Sequence, residues 1–389
     1  MAEVLFWCAV LFLVHTYFLY PVILFALDGV EQALENLRFM RRESSPTFPQ
    51  LGLPKVSLVV AAQQEAGYIA DKLRDSLALD YPAERLEVLV GSDGSTDGTD
   101  EIVRRAGDPR VRLCPAPRAG KSSVLNRCIP IASGDIVILT DARTRLEPDA
   151  VQMLVRHFED PEVGAVCGKL TRHNRWRRDP ERSAAWSYES LIKLYEGKRG
   201  AVMGASGGLY AIRRKLFTAL PESTLVEDFV IPLRILEHGF KVVYEPLAVA
   251  REETTEDQDQ AFGRRARIAA SNFHSLAMVP GLLSPAAGFR AFAFWSHKLL
   301  RWCAPALMGL ALLANLFLLD STLYRLTFFA QVMFYALAYL GKAGALTGTG
   351  RRIAAVAYDF VTLNLAIAVG FWRFLRSSQR ALPGRTARA

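Results

Sequence analysis

Two apolar runs of this chain each lead into acidic residues. Leu86–Val90 is followed by Gly91-Ser92-Asp93-Gly94-Ser95-Thr96-Asp97, and Ile136–Thr140 is followed by Asp141. Short apolar runs of this kind predict buried strands, and ligands bind at the carboxyl edge of open α/β sheets. Mg²⁺ is commonly held by one or two carboxylates together with substrate phosphates. Asp93 and Asp141 therefore predict a site for a nucleoside diphosphate and its metal ion.

The elements that position these acids alternate along the chain. Val56–Val60 predicts a first strand, and apolar residues at helical spacing over 69–79 predict the crossover helix that follows it. Further helices are expected at 99–106 and 122–129, with a short strand at 111–114 between them. Strands that alternate with helices in this way predict an α/β domain with a mainly parallel sheet and helices on both faces.

Three simpler interpretations of the loops fail on spacing. Asp93–Gly98 resembles the start of a calcium-binding EF-hand loop, but the twelfth position is Arg104, where a glutamate is required. Gly120-Lys121-Ser122 resembles the end of a P-loop, but the required first glycine is Pro115. The domain does not open with G-x-G-x-x-G, which disfavours a dinucleotide-binding fold.

Four apolar segments are candidates for membrane spans: Val4–Leu27, Leu299–Leu319, Leu326–Leu340 and Ala354–Phe371. A spanning helix needs about 20 residues, so the third segment is short. No basic residue precedes the first segment, which favours a retained anchor over a signal peptide. Basic residues follow the first segment and open the second, so the region between them is expected in the cytosol. The fourth contains Asp359 and precedes several arginines, so it either crosses or lies as a re-entrant or interfacial element.

The net charge of +8 suits membrane lipids and anionic substrates. No recognisable nucleic-acid-binding module accompanies the charge, so nucleic acid is not an expected partner. Five arginines surround Trp176 between residues 172 and 182. This cluster is either a solvated loop or a contact for lipid headgroups or an acceptor's phosphate. The aromatic segment Pro280–Ser296 predicts an interfacial helix.

Beyond the two acidic strand ends, further short motifs occur in a fixed order. They are Ala62-Gln63-Gln64-Glu65, Asp93-Gly94-Ser95-Thr96-Asp97, Gly120-Lys121-Ser122-Ser123-Val124-Leu125-Asn126, Asp141-Ala142-Arg143, Gly204-Ala205-Ser206-Gly207 and Glu227-Asp228. In order and spacing, the stretch from Pro54 to about Arg267 resembles the membrane-bound family-2 glycosyltransferases. This group contains the cellulose, hyaluronan and poly-N-acetylglucosamine synthases.

The resemblance implies a GT-A fold, the α/β fold of nucleotide-diphospho-sugar transferases, and roles for individual residues. Glu65 and Asp93 would contact the nucleoside, and Lys121 would lie near the donor phosphates. Asp141 would hold Mg²⁺ or Mn²⁺ across the diphosphate, where a Lewis acid stabilises the charge of the leaving group. In Glu227-Asp228, the aspartate occupies the position of the family's general base, which deprotonates the acceptor hydroxyl.

Two motifs depart from the family pattern. The D-x-D element is Asp141-Ala142-Arg143, so the second acid is missing, and Arg143 is expected to replace part of its charge or to alter the metal preference. The Q-x-x-R-W element has become Arg264-Arg265-Ala266-Arg267-Ile268, without glutamine or tryptophan in register. Arg264, Arg265 and Arg267 could still clamp the diphosphate. In the processive synthases of this family, the tryptophan of this element stacks on the acceptor sugar. Its absence here weakens the case for a processive synthase.

The expected protein is an inverting, metal-dependent glycosyltransferase of a bacterial-type inner membrane. It would use a nucleotide-sugar donor and a membrane-associated acceptor, a lipid-linked saccharide or an exopolysaccharide, with polysaccharide-assembly proteins as further candidate partners. The alternatives are a processive polysaccharide synthase and a non-catalytic assembly subunit that keeps the fold. The expected domains are a transmembrane helix at 1–30, a linker at 31–54, a cytosolic transferase domain at 55–278, an interfacial helix at 279–298, membrane helices at 299–375 and a basic tail at 376–389.

Overall fold

A computed structural model describes residues 1–40, 52–174, 184–254 and 258–380. The chain divides into two compact units. The sheet unit comprises Leu24–Thr255 and Met278–Ala293, and the helical unit comprises Met1–Ile23, Glu256–Ala277 and Phe294–Ala389. Residues 175–183 of the arginine cluster and 41–51 of the linker lie outside the described residues.

The sheet unit is built on eight strands with helices between them. The strands are β1 Val56–Ala62, β2 Leu86–Asp93, β3 Val111–Ala116, β4 Ile136–Asp141, β5 Thr144–Leu146, β6 Val163–Asn174, β7 Tyr210–Arg213 and β8 Lys241–Thr254. The helices are α3 Ile69–Leu77, α4 Thr99–Arg104, α5 Lys121–Ile131, α6 Ala150–Val155, α7 Ala184–Lys198 and α8 Glu227–Glu237. Short 3₁₀ turns occur at Ala83–Arg85, Arg156–Glu159, Arg214–Leu216, Pro280–Leu283 and Pro285–Ala287.

The first half of the sheet is parallel, as the sequence predicts. The strand order is β3-β2-β1-β4-β7-β6-β8-β5, and β1 pairs in parallel with both β2 and β4. All three strands are apolar and buried along almost their whole length, the pattern of a parallel sheet covered on both faces. Their carboxyl ends therefore lie side by side.

The second half of the sheet is mixed, which the sequence did not predict. β7 runs antiparallel to both β4 and β6, while β6 and β8 pair in parallel. The buried core packs against one face of the sheet with side chains from α3, α4 and α6, among them Leu73, Val103 and Leu154. This half brings α7 and α8 to the edge where β4 ends.

Long apolar helices make up much of the remaining chain that the structure describes. The described helices of the remaining chain are α1 Ala2–Val14, α2 Tyr20–Met40, α9 Gln258–Ser275, α10 Phe289–Phe294, α11 Leu300–Leu316, α12 Thr322–Ala343 and α13 Gly348–Arg380. A further 3₁₀ turn lies at Leu276–Met278. Among the residues that the structure describes, four stretches are long and apolar enough to cross a membrane: Ala2–Ala33, Phe289–Leu316, Thr322–Ala343 and Gly348–Arg376.

Two π-helical turns in the helical unit are bonded to each other. They span His15–Leu19 and Trp295–Leu299. The Thr16 hydroxyl donates to the Ser296 carbonyl at 2.7 Å, and His15 Nε2 lies 2.9 Å from Ser296 Oγ. A π-turn adds one residue to a helix and disturbs its regular bonds, and these contacts satisfy polar groups that lipid could not.

Several predicted boundaries in the membrane segments differ from the structure. The separate helix expected at 279–298 is absent, because residues 280–287 form 3₁₀ turns and Phe289 begins a helical stretch that continues to Leu316. The short third segment is a 22-residue helix, α12. The fourth is part of the continuous 33-residue helix α13, which has no break of the kind that a re-entrant segment requires.

Candidate active site

The two acidic strand ends lie at one edge of the sheet. Asp141, the last residue of β4, is in register with Ala61 of β1, and Asp93, the last residue of β2, is in register with Ala116 of β3. The short strand β1 separates them. The structure therefore places the two carboxylates on either side of β1, at the edge predicted for the ligand.

Asp93 holds the loop that precedes α5. Its Oδ1 accepts hydrogen bonds from the backbone N–H groups of Ala119 at 2.7 Å and Gly120 at 3.0 Å. Gly120 has φ +94°, a conformation that glycine adopts without the strain other residues meet. The bonds fix the point at which α5 begins, and Lys121 is its first residue.

Lys121 bridges two carboxylates. Its Nζ lies 2.6 Å from Asp141 Oδ1 and 2.6 Å from Glu227 Oε1. Burial alone would lower the pKa of Lys121, but the Glu227 and Asp141 charges raise it above its usual value. One ammonium thus connects the end of β4 to the start of α8.

Two polar residues that follow Lys121 on α5 form hydrogen bonds with the segment that precedes α8. Ser122 Oγ donates to the Thr224 carbonyl at 2.6 Å. The Asn126 amide donates to the Leu220 carbonyl at 2.7 Å and accepts from the Leu220 N–H at 2.8 Å. These bonds tie α5 to the segment that precedes α8, so they position Glu227 and Asp228.

Gly207 lies in the centre of the charged cluster. A Cβ atom at this position would be 3.3 Å from Asp228 Oδ2, 3.6 Å from Lys121 Nζ and 3.7 Å from Asp141 Oδ2. The Ala205 N–H donates to the Asp228 carbonyl at 2.9 Å. The Gly204–Gly207 turn therefore brings three charged groups around one small open space.

Asp228 has the titration behaviour of a base that works near neutral pH. Burial and the neighbouring Glu227 and Asp141 carboxylates raise its pKa to about 6, against the opposing charges of Lys121 and Lys193. A general base is most effective when its pKa is near the working pH. Asp228 is thus ionised at neutral pH and still basic enough to accept a proton.

Glu65 and Arg143 form a second ionic contact beside the cluster. Arg143 Nε donates to both Glu65 oxygens, at 3.0 and 2.9 Å, and the guanidinium carbon lies 4.8 Å from the centre of the Tyr68 ring. Arg143 occupies the position of the second acid of D-x-D. Its positive charge is therefore paired with Glu65.

The loops that carry Glu65 and Asp93 are joined by side-chain bonds. The Gln64 amide exchanges hydrogen bonds with Thr96, accepting from its N–H at 2.8 Å and donating to its hydroxyl at 3.0 Å. The Ala66 N–H donates to Asp97 at 2.9 Å. Gln64 has φ +54°, and strain of this kind is concentrated at functional sites.

Lys72 supports the turn that contains Asp141, and the sequence motifs did not predict it as a site residue. It is 3% exposed, and its Nζ donates to Thr140 Oγ1 at 3.0 Å and to the Thr144 carbonyl at 2.6 Å. Burial lowers its pKa to about 7. Lys72 therefore holds both ends of the turn that contains Asp141. The sequence pattern that could have identified Lys72 is a lysine on the apolar face of a predicted helix.

The three arginines of the altered Q-x-x-R-W element lie on α9, in the helical unit. Arg265 and Arg267 are exposed. A Cβ on Gly370 of α13 would approach the Ala269 side chain to 2.5 Å, so α9 and α13 are in close contact. The diphosphate clamp predicted for Arg264, Arg265 and Arg267 stays a prediction.

The cluster fits a metal ion that is bound jointly with phosphate. Lys121 already places a positive group 2.6 Å from oxygens of both Asp141 and Glu227, a stand-in for a cation between them. No three acidic, histidine or cysteine side chains among the described residues are arranged to hold a metal by themselves. Mg²⁺ commonly takes one or two carboxylates and completes its coordination with substrate phosphates.

Comparison with known proteins places the chain in a family. Residues 54–271, more than half of the chain, match the family described as glycosyltransferase like family 2. The chain belongs to this family. This family membership agrees with the resemblance that the motifs carry.

Curated relatives of this chain include polysaccharide synthases. The chain is 29% identical over 233 residues to the probable glycosyltransferase YdaM of Bacillus subtilis (strain 168), covering 57% of the chain and 56% of the relative. It is 28% identical to an N-acetylglucosaminyltransferase of Rhizobium sp. (strain N33), covering 59% and 56%. It is also 28% identical to the poly-beta-1,6-N-acetyl-D-glucosamine synthase of Staphylococcus aureus (strain MSSA476), covering 51% and 49%. The chain spans about half the length of these relatives.

A solved structure shares the fold. The mannosyltransferase PcManGT from Pyrobaculum calidifontis, in complex with GDP-Man and Mn²⁺, superposes with a TM-score of 0.65 over 97% of this chain and 99% of that protein, at 22% identity. This chain therefore has a GT-A-like mixed α/β sheet flanked by long apolar helices, as the resemblance implied.

Proposed function

We propose that this glycosyltransferase moves a sugar from a nucleotide-sugar to a hydroxyl of a membrane-associated acceptor, with inversion at the anomeric carbon. The observation that carries the proposal is the convergence of Asp141, Lys121 and Asp228 around Gly207. A diphosphate with its metal needs the first two groups, and a reacting hydroxyl needs the third. The curated relatives that act as synthases support the polysaccharide context.

In the proposed mechanism Asp228 accepts the proton of the acceptor hydroxyl. The oxygen then attacks the anomeric carbon, the bond from that carbon to the diphosphate breaks, and the nucleoside diphosphate leaves with the electron pair. The Lys121 ammonium lies where it can pair with the phosphate oxygens of the leaving group and stabilise the negative charge that develops on them. Gly207 keeps the space between these groups open.

The donor side would be held by the remaining predicted residues. Glu65 and Asp93 are proposed to receive the nucleoside, in loops already fixed by hydrogen bonds. Asp141, with Glu227 beside it, would hold Mg²⁺ or Mn²⁺ together with the diphosphate. When bound, the metal acts as a Lewis acid that stabilises the leaving group by several kcal/mol.

The test is a panel of nucleotide-sugars offered to the purified full chain, with release of nucleoside diphosphate as the signal. Release from one donor, dependent on Mg²⁺ or Mn²⁺, is the expected result. Absence of release with every donor, alone and with membrane extracts as acceptor, would favour a non-catalytic assembly subunit. Product length then separates single transfer from processive synthesis, and the anomeric configuration of the product tests inversion.

We further propose that the sheet unit faces the cytosol, because basic residues flank the first two apolar stretches. Nucleotide-sugars would then reach the site directly. A reporter inserted within residues 43–50 should be protected from reagents added outside the cell. Labelling of that insertion from outside would overturn the orientation.

A further inference from the structure

A small cavity lies beside the proposed base, outside the groups that the mechanism uses. It is bounded by β6, α7 and the turn at Ser206, and encloses about 50 Å³. At about 10–15 Å³ for each water, it has room for roughly four water molecules. The cavity is too small for a pyranose ring but accommodates a phosphate or carboxylate group.

The cavity adjoins Asp228 through Ser206 and Lys193. Ser206 directly precedes Gly207, where a Cβ would lie 3.3 Å from Asp228 Oδ2. Lys193 Nζ is 3.2 Å from Ser206 Oγ, and its charge acts on Asp228. A molecule whose hydroxyl contacts Asp228 would thus place its neighbouring group at this opening.

The polar groups on the walls are mostly hydrogen-bond donors. The lining residues include Lys169 and Lys193, whose side chains carry ammonium groups, and Ser190 and Ser206, whose side chains carry hydroxyls. The Tyr244 hydroxyl is hydrogen-bonded to Ser190. Glu189 also lines the cavity and has a partner of its own. The walls therefore offer more positive than negative charge.

The two ammonium groups are available to a ligand. Within residues 52–171 and 188–252, neither Lys169 nor Lys193 forms an ion pair, whereas Lys198, on the same helix as Lys193, is paired with Asp28 at 2.8 Å. Lys193 Nζ donates a hydrogen bond to the neutral hydroxyl of Ser206. A charge-assisted bond to an anion would be stronger than this contact.

We propose that the acceptor carries a phosphate or carboxylate group next to its reacting hydroxyl, bound in this cavity by Lys169 and Lys193. The proposal rests on the proposed function in so far as Asp228 is the acceptor-side base. The same chemistry has two sources, a lipid carrier's phosphate and a soluble acidic or phosphorylated sugar. Both would place the anion a short distance from the hydroxyl that receives the sugar.

The first experiment needs no donor sugar. Inorganic phosphate is titrated into the full chain in non-phospholipid detergent and followed by the broadening of its ³¹P signal. The double variant with Lys169→Gln and Lys193→Gln should bind phosphate about tenfold or more weakly than wild type. Lys198→Gln is the matched control and should bind as wild type does. Metal-dependent binding of a nucleoside diphosphate by all three proteins verifies that each is folded.

Equal phosphate binding by the double variant and the control would overturn the proposal, whether or not the protein transfers sugar. The second experiment offers labelled donor with a butanol extract or an aqueous extract of membranes as acceptor source. A product retained by an anion exchanger supports the proposal, and the extract that yields it identifies a lipid or a soluble acceptor. A product that the exchanger does not retain would overturn it. Failure of wild type to hydrolyse or transfer any donor instead counts against the proposed function alone.

Discussion

The carboxylates on the two sides of the sheet edge differ in their bonding partners. On the side proposed to bind the nucleoside, here called the nucleoside side, Asp93 is bonded to two backbone N–H groups and Glu65 is held by Arg143. On the side proposed for the chemistry, here called the reaction side, Asp141 and Glu227 share the single ammonium of Lys121, and Asp228 lies close by with a raised pKa. The first side is fully bonded within the protein, whereas the second concentrates negative charge that the protein only partly neutralises.

This difference indicates how the site divides its tasks. Bonds that are already complete keep loops in place and cost nothing to rearrange when a ligand arrives. Carboxylates that share one cation attract another cation or accept a proton. Substitutions on the nucleoside side should therefore affect stability first, and substitutions on the reaction side should affect chemistry first.

The largest effect is expected from removing the metal or its carboxylate. Because Lewis-acid stabilisation is worth several kcal/mol, chelation or Asp141→Ala should lower turnover by about 10³-fold or more, and the substitution should also weaken nucleoside diphosphate binding. Added Mg²⁺ or Mn²⁺ should restore the chelated wild type but not the variant. Asp149→Ala, which removes an exposed acid that forms no capping bond, is the control. Full activity in excess chelator would contradict the role of Asp141.

The second largest effect is expected from Asp228→Asn. The change nearly preserves volume but removes the proton acceptor, and general-base catalysis is worth about 10²–10⁴-fold. Transfer should fall by at least that lower factor, while the dissociation constant of the nucleoside diphosphate stays within about twofold. Titration calorimetry and transfer assays on the same preparation measure both. A variant that transfers near the wild-type rate would mean that Asp228 is a structural residue at the start of α8.

Asp93 tests the nucleoside side. Asp93→Ala removes the acceptor of two backbone hydrogen bonds, and leaving such donors unpaired costs about 2 kcal/mol or more. Thermal denaturation in detergent should show a Tm lower by roughly 4–8 °C. Asp93→Asn keeps an oxygen for these N–H groups and should lose less. Equal losses from both substitutions would show that the charge, and not the loop bonds, is what matters.

The smallest effect concerns pH. Lys193 lowers the pKa of Asp228, because its positive charge stabilises the ionised carboxylate. Lys193→Gln should therefore raise that pKa, and the acid limb of donor hydrolysis should move to higher pH by a few tenths of a unit. Activity at pH 6 would fall relative to pH 8. Hydrolysis with water as acceptor avoids any effect on acceptor binding, and Lys198→Gln should leave the profile unchanged.

The parallel half of the sheet could be predicted because its strands are short, apolar and regularly separated by helices. Asp93 and Asp141 then follow from strand ends alone. The antiparallel strand β7 could not be predicted in this way, because Tyr210–Arg213 is four residues long and gains its place from β4 and β6 rather than from a pattern of its own.

The contacts that tune the site depend on residues far apart in the chain. Arg143 was expected to act at the metal, but its partner is Glu65, 78 residues earlier. Lys72 meets Thr140 and Thr144 across a similar separation. Neither pairing leaves a local pattern, since each depends on how the crossover helix α3 packs on the sheet.

The position of Lys121 has a consequence for how a donor enters. The Lys121 ammonium already lies between the Asp141 and Glu227 carboxylates and partly neutralises them, so a metal ion held there would meet a site whose negative charge is partly compensated. Without a donor, the pairing with Lys121 spares the buried Glu227 carboxylate the cost of an unpaired charge. Lys121 would then be free to pair with the phosphates of the donor. Removing this lysine while keeping the acids should then produce an enzyme that holds free metal more tightly in the absence of donor.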